Sequence, residues 1–232
     1  MLHELKNQPD FASLTITFEA PGEEVRTESG AMVARDTAVA MTTSLQGGFG
    51  AALKRKLLGG ESLFQNTFRS SHAGERLLIA PAVEGSIGLR VLGPGEELFL
   101  QSGAYLASTP ELTLDTKWQG VRGFFAAGLF LLRAVGPGKV WYATYGALHE
   151  IPLTGGTYIV DNTHLVGFDG GLTYAVERVG GLKSLLFSGE GLVCRMHGHG
   201  KVYLQTRNPA NLAGFLQPFR PVRSAASTSS SE

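Results

Sequence analysis

The chain has 232 residues, enough for one large domain or two small ones with a real core. Twenty basic residues cancel twenty acidic ones, so the global positive field that would make nucleic acid the default partner is missing. A hydrophobic content of 43% excludes disorder for the body, and a single cysteine excludes a disulfide framework or a cysteine-based zinc site. Thirty-one glycines are the outlier, but with no Gly-X-Y period and only ten prolines they do not describe collagen.

In chain order, residues 1–10 (MLHELKNQPD) read as a lead-in without an apolar run after a basic start, so no secretory signal and a reducing, intracellular location are expected. Short strands follow: Leu14–Phe18, Ser86–Val91, Glu97–Gln101, Glu111–Thr116, Lys139–Tyr145 and Lys201–Thr206, rich in leucine, β-branched and aromatic residues. Turn signals separate them, among them Pro21-Gly22, Pro94-Gly95, Gly136-Pro137-Gly138 and Gly155-Gly156. The most apolar run, Gly123–Leu132, is ten residues long, well short of the ~20 a spanning helix needs. The reading is one all-β domain over 11–216, followed by a flexible polar tail over 217–232 that ends SAASTSSSE.

Internal repetition decides the architecture. PGEEVRTESGA (Pro21–Ala31) recurs as PGEELFLQSGA (Pro94–Ala104), identical at seven of eleven positions. A weaker third copy, LTGGTYIV (Leu153–Val160), puts Gly156 in the place of Gly30 and Gly103. A second shared element starts at Gly74 (GERLLIA), Gly138 (GKVWYAT) and Gly200 (GKVYLQT). Three units over about 14–92, 93–152 and 153–212 are therefore expected, closing around a pseudo-threefold axis so that each covers its neighbour's apolar face and edge.

Between the two shared elements each unit carries an apolar excursion. Phe49, Leu53 and Leu57 recur every four residues beside Lys54, Arg55 and Lys56, the pattern of an amphipathic turn with a basic side. Phe124 and Phe125 lie between glycines, and Leu182, Leu185 and Leu186 accompany Lys183. Clustered at one end, these tips could cover the barrel end, form a subunit contact or dock on an anionic membrane, where each nearby Lys or Arg contributes roughly 1 kcal/mol.

Candidates for chemistry are sparse. His197 and His199, two apart, could hold a divalent ion if His72 or His149 closed the site, but they fall in an expected glycine-bounded turn whose counterpart, Val135-Gly136-Pro137, has no ligand. Cys194 should share an apolar strand face with Leu192 and Met196, with Arg195 on the other side, the pattern of inert packing. Glycines and lysines over Gly47–Lys56 lack both the dinucleotide fingerprint and the P-loop ending. Glu23-Glu24 and Glu96-Glu97 are adjacent in strands and so face opposite sides, and no Gly-x-Ser-x-Gly elbow exists. Trp141, Tyr142, Tyr145 and Tyr203 read as core or sheet-face packing rather than as a base-stacking platform.

The SGA and GGT strand starts, GGESLF (Gly59–Phe64), YGALHEI (Tyr145–Ile151) and FSGEGLVCRMHGHGKVYLQTRN (Phe187–Asn208) together resemble the altered-inheritance-of-mitochondria protein twenty-four family. The resemblance spans Phe11 to Leu212, and LVCRMHGHGKVYLQTRN is its most specific part. It implies an all-β fold like that of the trp RNA-binding attenuation protein, internal pseudo-threefold symmetry and homotrimers. It also implies a tie to inner-membrane architecture in mitochondrial members, and it supplies no catalytic residue and no cofactor. With no mitochondrial presequence visible, a bacterial cytoplasmic protein, at most peripheral to the inner membrane, is expected. The functional expectation is a non-enzymatic oligomeric scaffold or membrane-associated structural protein, possessing no metal or cofactor; the alternative is a small-ligand or RNA-binding module at the trimer axis or interface.

Overall fold

The computed structural model describes residues 1–45, 64–115, 131–178 and 192–220. Strand β1 (Leu2–Lys6) comes first. The first unit then holds β2 (Ser13–Thr17), β3 (Glu24–Glu28), β4 (Met32–Arg35), β5 (Ala40–Leu45), β6 (Phe64–Arg69) and β7 (Arg76–Ile79). The second holds β8 (Ile87–Leu92), β9 (Glu97–Gln101), β10 (Tyr105–Ser108), β11 (Thr113–Asp115), β12 (Leu131–Val135) and β13 (Gly138–Ala143). The third is built from β14 (Leu148–Asp161), β15 (Leu165–Asp169), β16 (Leu172–Arg178) and β17 (Leu192–Gln205), and the helix α1 (Pro209–Leu216) follows.

The same pairing pattern recurs in each unit. First and third strands flank the sixth (β2 and β4 on β7; β8 and β10 on β13), while second and fourth flank the fifth (β3 and β5 on β6; β9 and β11 on β12). In the third unit β14 serves as first and second strand and β17 as fifth and sixth, with β15 and β16 as third and fourth. The fusion has a sequence cause. Where the first two units turn at Pro21 and Pro94, and the second again at Pro137, the third has Gly155-Gly156 and His197-Gly198-His199-Gly200. Pro21, Pro94 and Pro137 cannot donate to a ladder and fall where the pairing stops, whereas Gly155 and Gly156 accept φ of +100° and +83° and let it continue across a register shift.

Successive units are joined by sheet pairing. The third strand of one unit lies antiparallel to the second strand of the unit before it, β10 on β3 and β15 on β9. The sheets therefore run β5-β6-β3-β10-β13-β8 and β11-β12-β9-β15-β17-β14, with β1-β2-β7-β4 separate and β16 on the flank of β17. A register shift falls at the same place in all three third strands, Met32/Ala34, Tyr105/Ala107 and Leu165/Gly167. At or just beyond the end of each third strand a side-chain oxygen accepts a backbone N–H from the first part of the sixth strand position: Asp36 from Arg76 (2.8 Å), Thr109 from Lys139 (3.0 Å) and Asp169 from Lys201 (3.0 Å).

Burial follows this plan. The first core packs Leu14, Ile16, Phe18, Phe68 and Leu77 against Leu106 and Trp141 of the second unit. The second packs Leu98, Leu100, Tyr105 and Tyr142 against Val166 and Tyr203 of the third. The third core closes on Phe168, Cys194, Met196 and Val202, with Phe99 and Leu131 from the unit before.

Several expectations are corrected. The lead-in contributes a strand of its own: Leu2–Lys6 pairs with β2 along its whole length. Gly156 is not the counterpart of Gly30 and Gly103. It lies between the first and second strand positions, in the turn that holds Gly22 and Gly95 in the other units, and Thr163 occupies the turn between second and third strand. The weak third copy shared its glycines with the wrong turn, because glycine is favoured at both. Units accordingly begin near β2, β8 and β14 rather than at 93 and 153. His197 to Gly200 form no turn but lie within the continuous β17. Gln217–Phe219, read as the start of the tail, form a 3₁₀ turn after α1, and residues 221–232 lie outside the described residues.

Candidate interaction surface

All twelve excursion residues (Phe49, Leu53, Lys54, Arg55, Lys56, Leu57, Phe124, Phe125, Leu182, Lys183, Leu185, Leu186) lie outside the described residues. The strands that flank them are β5 and β6, β11 and β12, and β16 and β17, in each unit the fourth and fifth.

The candidates for chemistry stand apart. His197 Nδ1 lies 2.6 Å from the carbonyl of Gly156, His72 pairs with Glu75 at 3.3 Å, and among the described residues no group of three or more His, Cys, Asp or Glu could hold a metal. Cys194 is fully buried with Met196, as the strand pattern predicts, and burial pushes its thiol up to about 12. Arg195 points away and forms a two-pronged pair with Glu177 at 2.9 and 3.0 Å. Glu24 and Glu97 each meet an arginine, Arg69 and Arg133, while Glu96 accepts the N–H of Gly93. Trp141, Tyr142, Tyr145 and Tyr203 are buried, as read, so none of them offers a face for a base to stack on.

Where the second-to-third-strand turns and the ends of the sixth strands converge, a cavity of about 420 Å³ is lined by residues of all three units, among them Glu28, Gln101, Ala104, Tyr145, Gln205 and Asn208. Its polar groups brace one another. Gln205 Oε1 accepts the N–H of Tyr145 (3.0 Å) and its amide donates to Thr163 O (3.2 Å). Asn208 accepts the N–H of Asn211 (2.8 Å), capping α1, and its amide reaches His164 Nε2 (3.2 Å), whose Nδ1 lies 2.8 Å from Gln205 O. That pattern fixes the histidine tautomer: Nδ1 carries the proton and donates, and Nε2 accepts.

Helix α1 is what the sequence reading passed over. Asn208 followed by Pro209 is a start signal, an N-cap with proline at the first helical position. No residue of the helix is buried, and Leu212, Phe215, Leu216 and the adjoining Phe219 are exposed, Phe215 at 68% and Phe219 at 73%. Among the described residues no helix is long and apolar enough to cross a membrane.

Second and third units are also locked by a polar cluster. Arg90 on β8 pairs with Asp169 at 3.1 Å and lies over the ring of Tyr203, 6.0 Å from its centroid. The Tyr203 hydroxyl donates to Asp169 (2.9 Å), and the ring meets Tyr142 edge-on at 5.3 Å. Burial, with the Asp169 charge beside it, raises the Tyr203 phenol far above its ordinary value.

Among the described residues β4 pairs only with β7 and the C-terminal half of β14 only with β17, so each leaves one edge unpaired, as do β1, β5, β8, β11 and β16. Apolar residues are exposed along β4 (Met32 and Val33) and along that half of β14 (Tyr158 and Ile159).

The comparisons agree with this architecture. An uncharacterized protein of Streptococcus pyogenes serotype M6 is 31% identical over 212 residues, covering 88% of this chain and 85% of its own. The crystal structure of a Streptococcus pyogenes protein superposes with a TM-score of 0.78 at 29% identity, over 94% of this chain and 99% of that one. A family model described as mitochondrial biogenesis AIM24 matches residues 3–207, and with nearly the whole all-β body inside that match the chain belongs to this family.

Proposed function

We propose that the protein is a non-enzymatic oligomeric scaffold that contacts a membrane or protein surface. The observation that carries this reading is the uncovered apolar surface: Leu212, Phe215, Leu216 and Phe219, on α1 and just after it, are exposed. Each phenylalanine moved from water into apolar contact contributes about 1.5–3 kcal/mol, so a docked helix gains enough to hold a peripheral association. Arg220 beside Phe219 suits an anionic surface. The excursion residues supply the same chemistry, apolar side chains next to Lys54, Arg55, Lys56 and Lys183. Cosedimentation with anionic phosphatidylserine-containing vesicles tests the membrane arm. Wild type is expected in the pellet, with Phe215→Ser/Phe219→Ser and Phe124→Ser/Phe125→Ser each reducing it; equal partitioning of all three removes the membrane contact.

A second reading, a module for a small apolar ligand, is favoured by the 420 Å³ cavity. Its test is thermal shift with a panel of small aliphatic and aromatic compounds. A concentration-dependent rise in Tm that Ala104→Leu abolishes supports it, and a flat response across the panel ends it.

A further inference from the structure

The repeated pairing leaves one junction unmade. Second strand meets third strand between the first and second units (β3 with β10) and between the second and third (β9 with β15), always antiparallel. In register, Ala107 faces Thr27 and Ser108 faces Arg26, and likewise Gly167 faces Leu100 and Phe168 faces Phe99. What remains is the third strand of the first unit, β4, and the second strand of the last, Thr157–Asp161 of β14.

Burial at equivalent positions shows what these edges lack. Leu106 and Val166 are fully buried, but their counterpart Val33 is 58% exposed; Tyr105 and Leu165 are fully buried, but Met32 is 38% exposed. On the other side, Val25 and Leu98 are fully buried where Tyr158 is 38% exposed, and Phe99 is buried where Ile159 is 55% exposed. The residues are of core type, and among the described residues no strand covers them. Proline and lysine guard edges that must stay single, as Lys6 does on β1 and Pro152 in the first half of β14; Met32–Arg35 and Thr157–Asp161 contain neither.

We infer that β4 of one copy of this chain pairs antiparallel with Thr157–Asp161 of a second copy, with Arg35 opposite Ile159 and Ala34 opposite Val160. This identifies the partner in the oligomeric reading above and rests on it. The joined sheet would run β16, β17, β14, β4, β7, β2, the strand order already present twice within the chain. Each copy offers one edge of each kind, so the contact is head-to-tail and builds a ring or a filament rather than a twofold dimer.

Opposed residues in an antiparallel pair have Cβ atoms about 4.5–5.5 Å apart, close enough for a disulfide. Arg35→Cys and Ile159→Cys are purified separately, with the buried Cys194 left in place, then mixed and oxidised. A covalent dimer is expected from the mixture and from neither variant alone, while Arg35→Cys with Tyr158→Cys, one residue out of register, gives none. Multi-angle scattering gives the mass in parallel, where Val33→Lys is expected to yield a monomer with the wild-type circular dichroism spectrum. An oligomer whose mixed variants do not cross-link overturns this pairing and leaves the oligomeric reading standing. A wild-type monomer overturns both. An internal disulfide in monomeric Arg35→Cys/Ile159→Cys also overturns the pairing between copies, since it places the junction within one chain.

Discussion

Gly88 offers a direct test of the packing that joins the second and third units. It lies on β8 opposite Tyr142 of β13, and the tyrosine ring lies across it. A Cβ placed on Gly88 would come within 2.2 Å of Tyr142 Cζ and 2.4 Å of the hydroxyl oxygen. The ring has little room to yield: Tyr142 is fully buried and set edge-on against Tyr203, whose hydroxyl is tied to Asp169. Overpacking of this kind costs about 1–3 kcal/mol, and in a chain of this size each kcal/mol lowers Tm by roughly 2–4 °C. Gly88→Ala is therefore expected to lower Tm by about 2–12 °C in a calorimetric or fluorescence melt. Because the clash needs the ring, Gly88→Ala should cost much less in a Tyr142→Leu background, a coupling of about 0.5–3 kcal/mol in a double-mutant cycle. An unchanged Tm for Gly88→Ala, or strict additivity in the cycle, would refute the contact.

Other predictions draw on the same cores. Trp141→Ala, which empties the largest buried side chain of the first core, is expected to cost about 3–5 kcal/mol in a urea melt. Asp169→Ala removes the partner of Arg90 and the acceptor for the Tyr203 hydroxyl and Lys201 N–H, and about 1–3 kcal/mol should go with it, whereas Glu177→Ala, in an exposed pair, should change stability by less than about 1 kcal/mol. Cys194 should resist iodoacetamide at pH 8 in the native protein and react on denaturation, its thiol being buried and protonated. The thiol and the Tyr105, Tyr142 and Tyr203 phenols have folded values raised by burial above their ordinary 9.0 and 10.0. Their protonated forms support the fold below about pH 9, and stability should fall as pH climbs from there through the raised folded values, read as a declining Tm.

Much of the molecule was legible in one dimension. β-branched and aromatic runs separated by Pro-Gly turns announced an all-β chain, period-two alternation put Cys194 and Met196 inside and Arg195 outside, and the near-identical Pro21–Ala31 and Pro94–Ala104 announced repetition, because each of these signals acts over a few neighbouring residues. The third unit was misaligned for the same reason. Local resemblance matched Gly156 to Gly30 and Gly103, and only the ladder of β14 on β17, which relates residues some forty positions apart, showed that it belongs to the turn held by Gly22 and Gly95 in the other units. Asn208-Pro209 signalled a helix start, but that the helix would keep Phe215 and Phe219 in water depends on which surfaces remain beside it once the cores are closed. Val33 and Val166 are the same amino acid at the same place in their units. Sequence determined their type and register; the strand that arrives beside one and not beside the other is a long-range event, and tertiary structure alone decided which valine is core and which is edge.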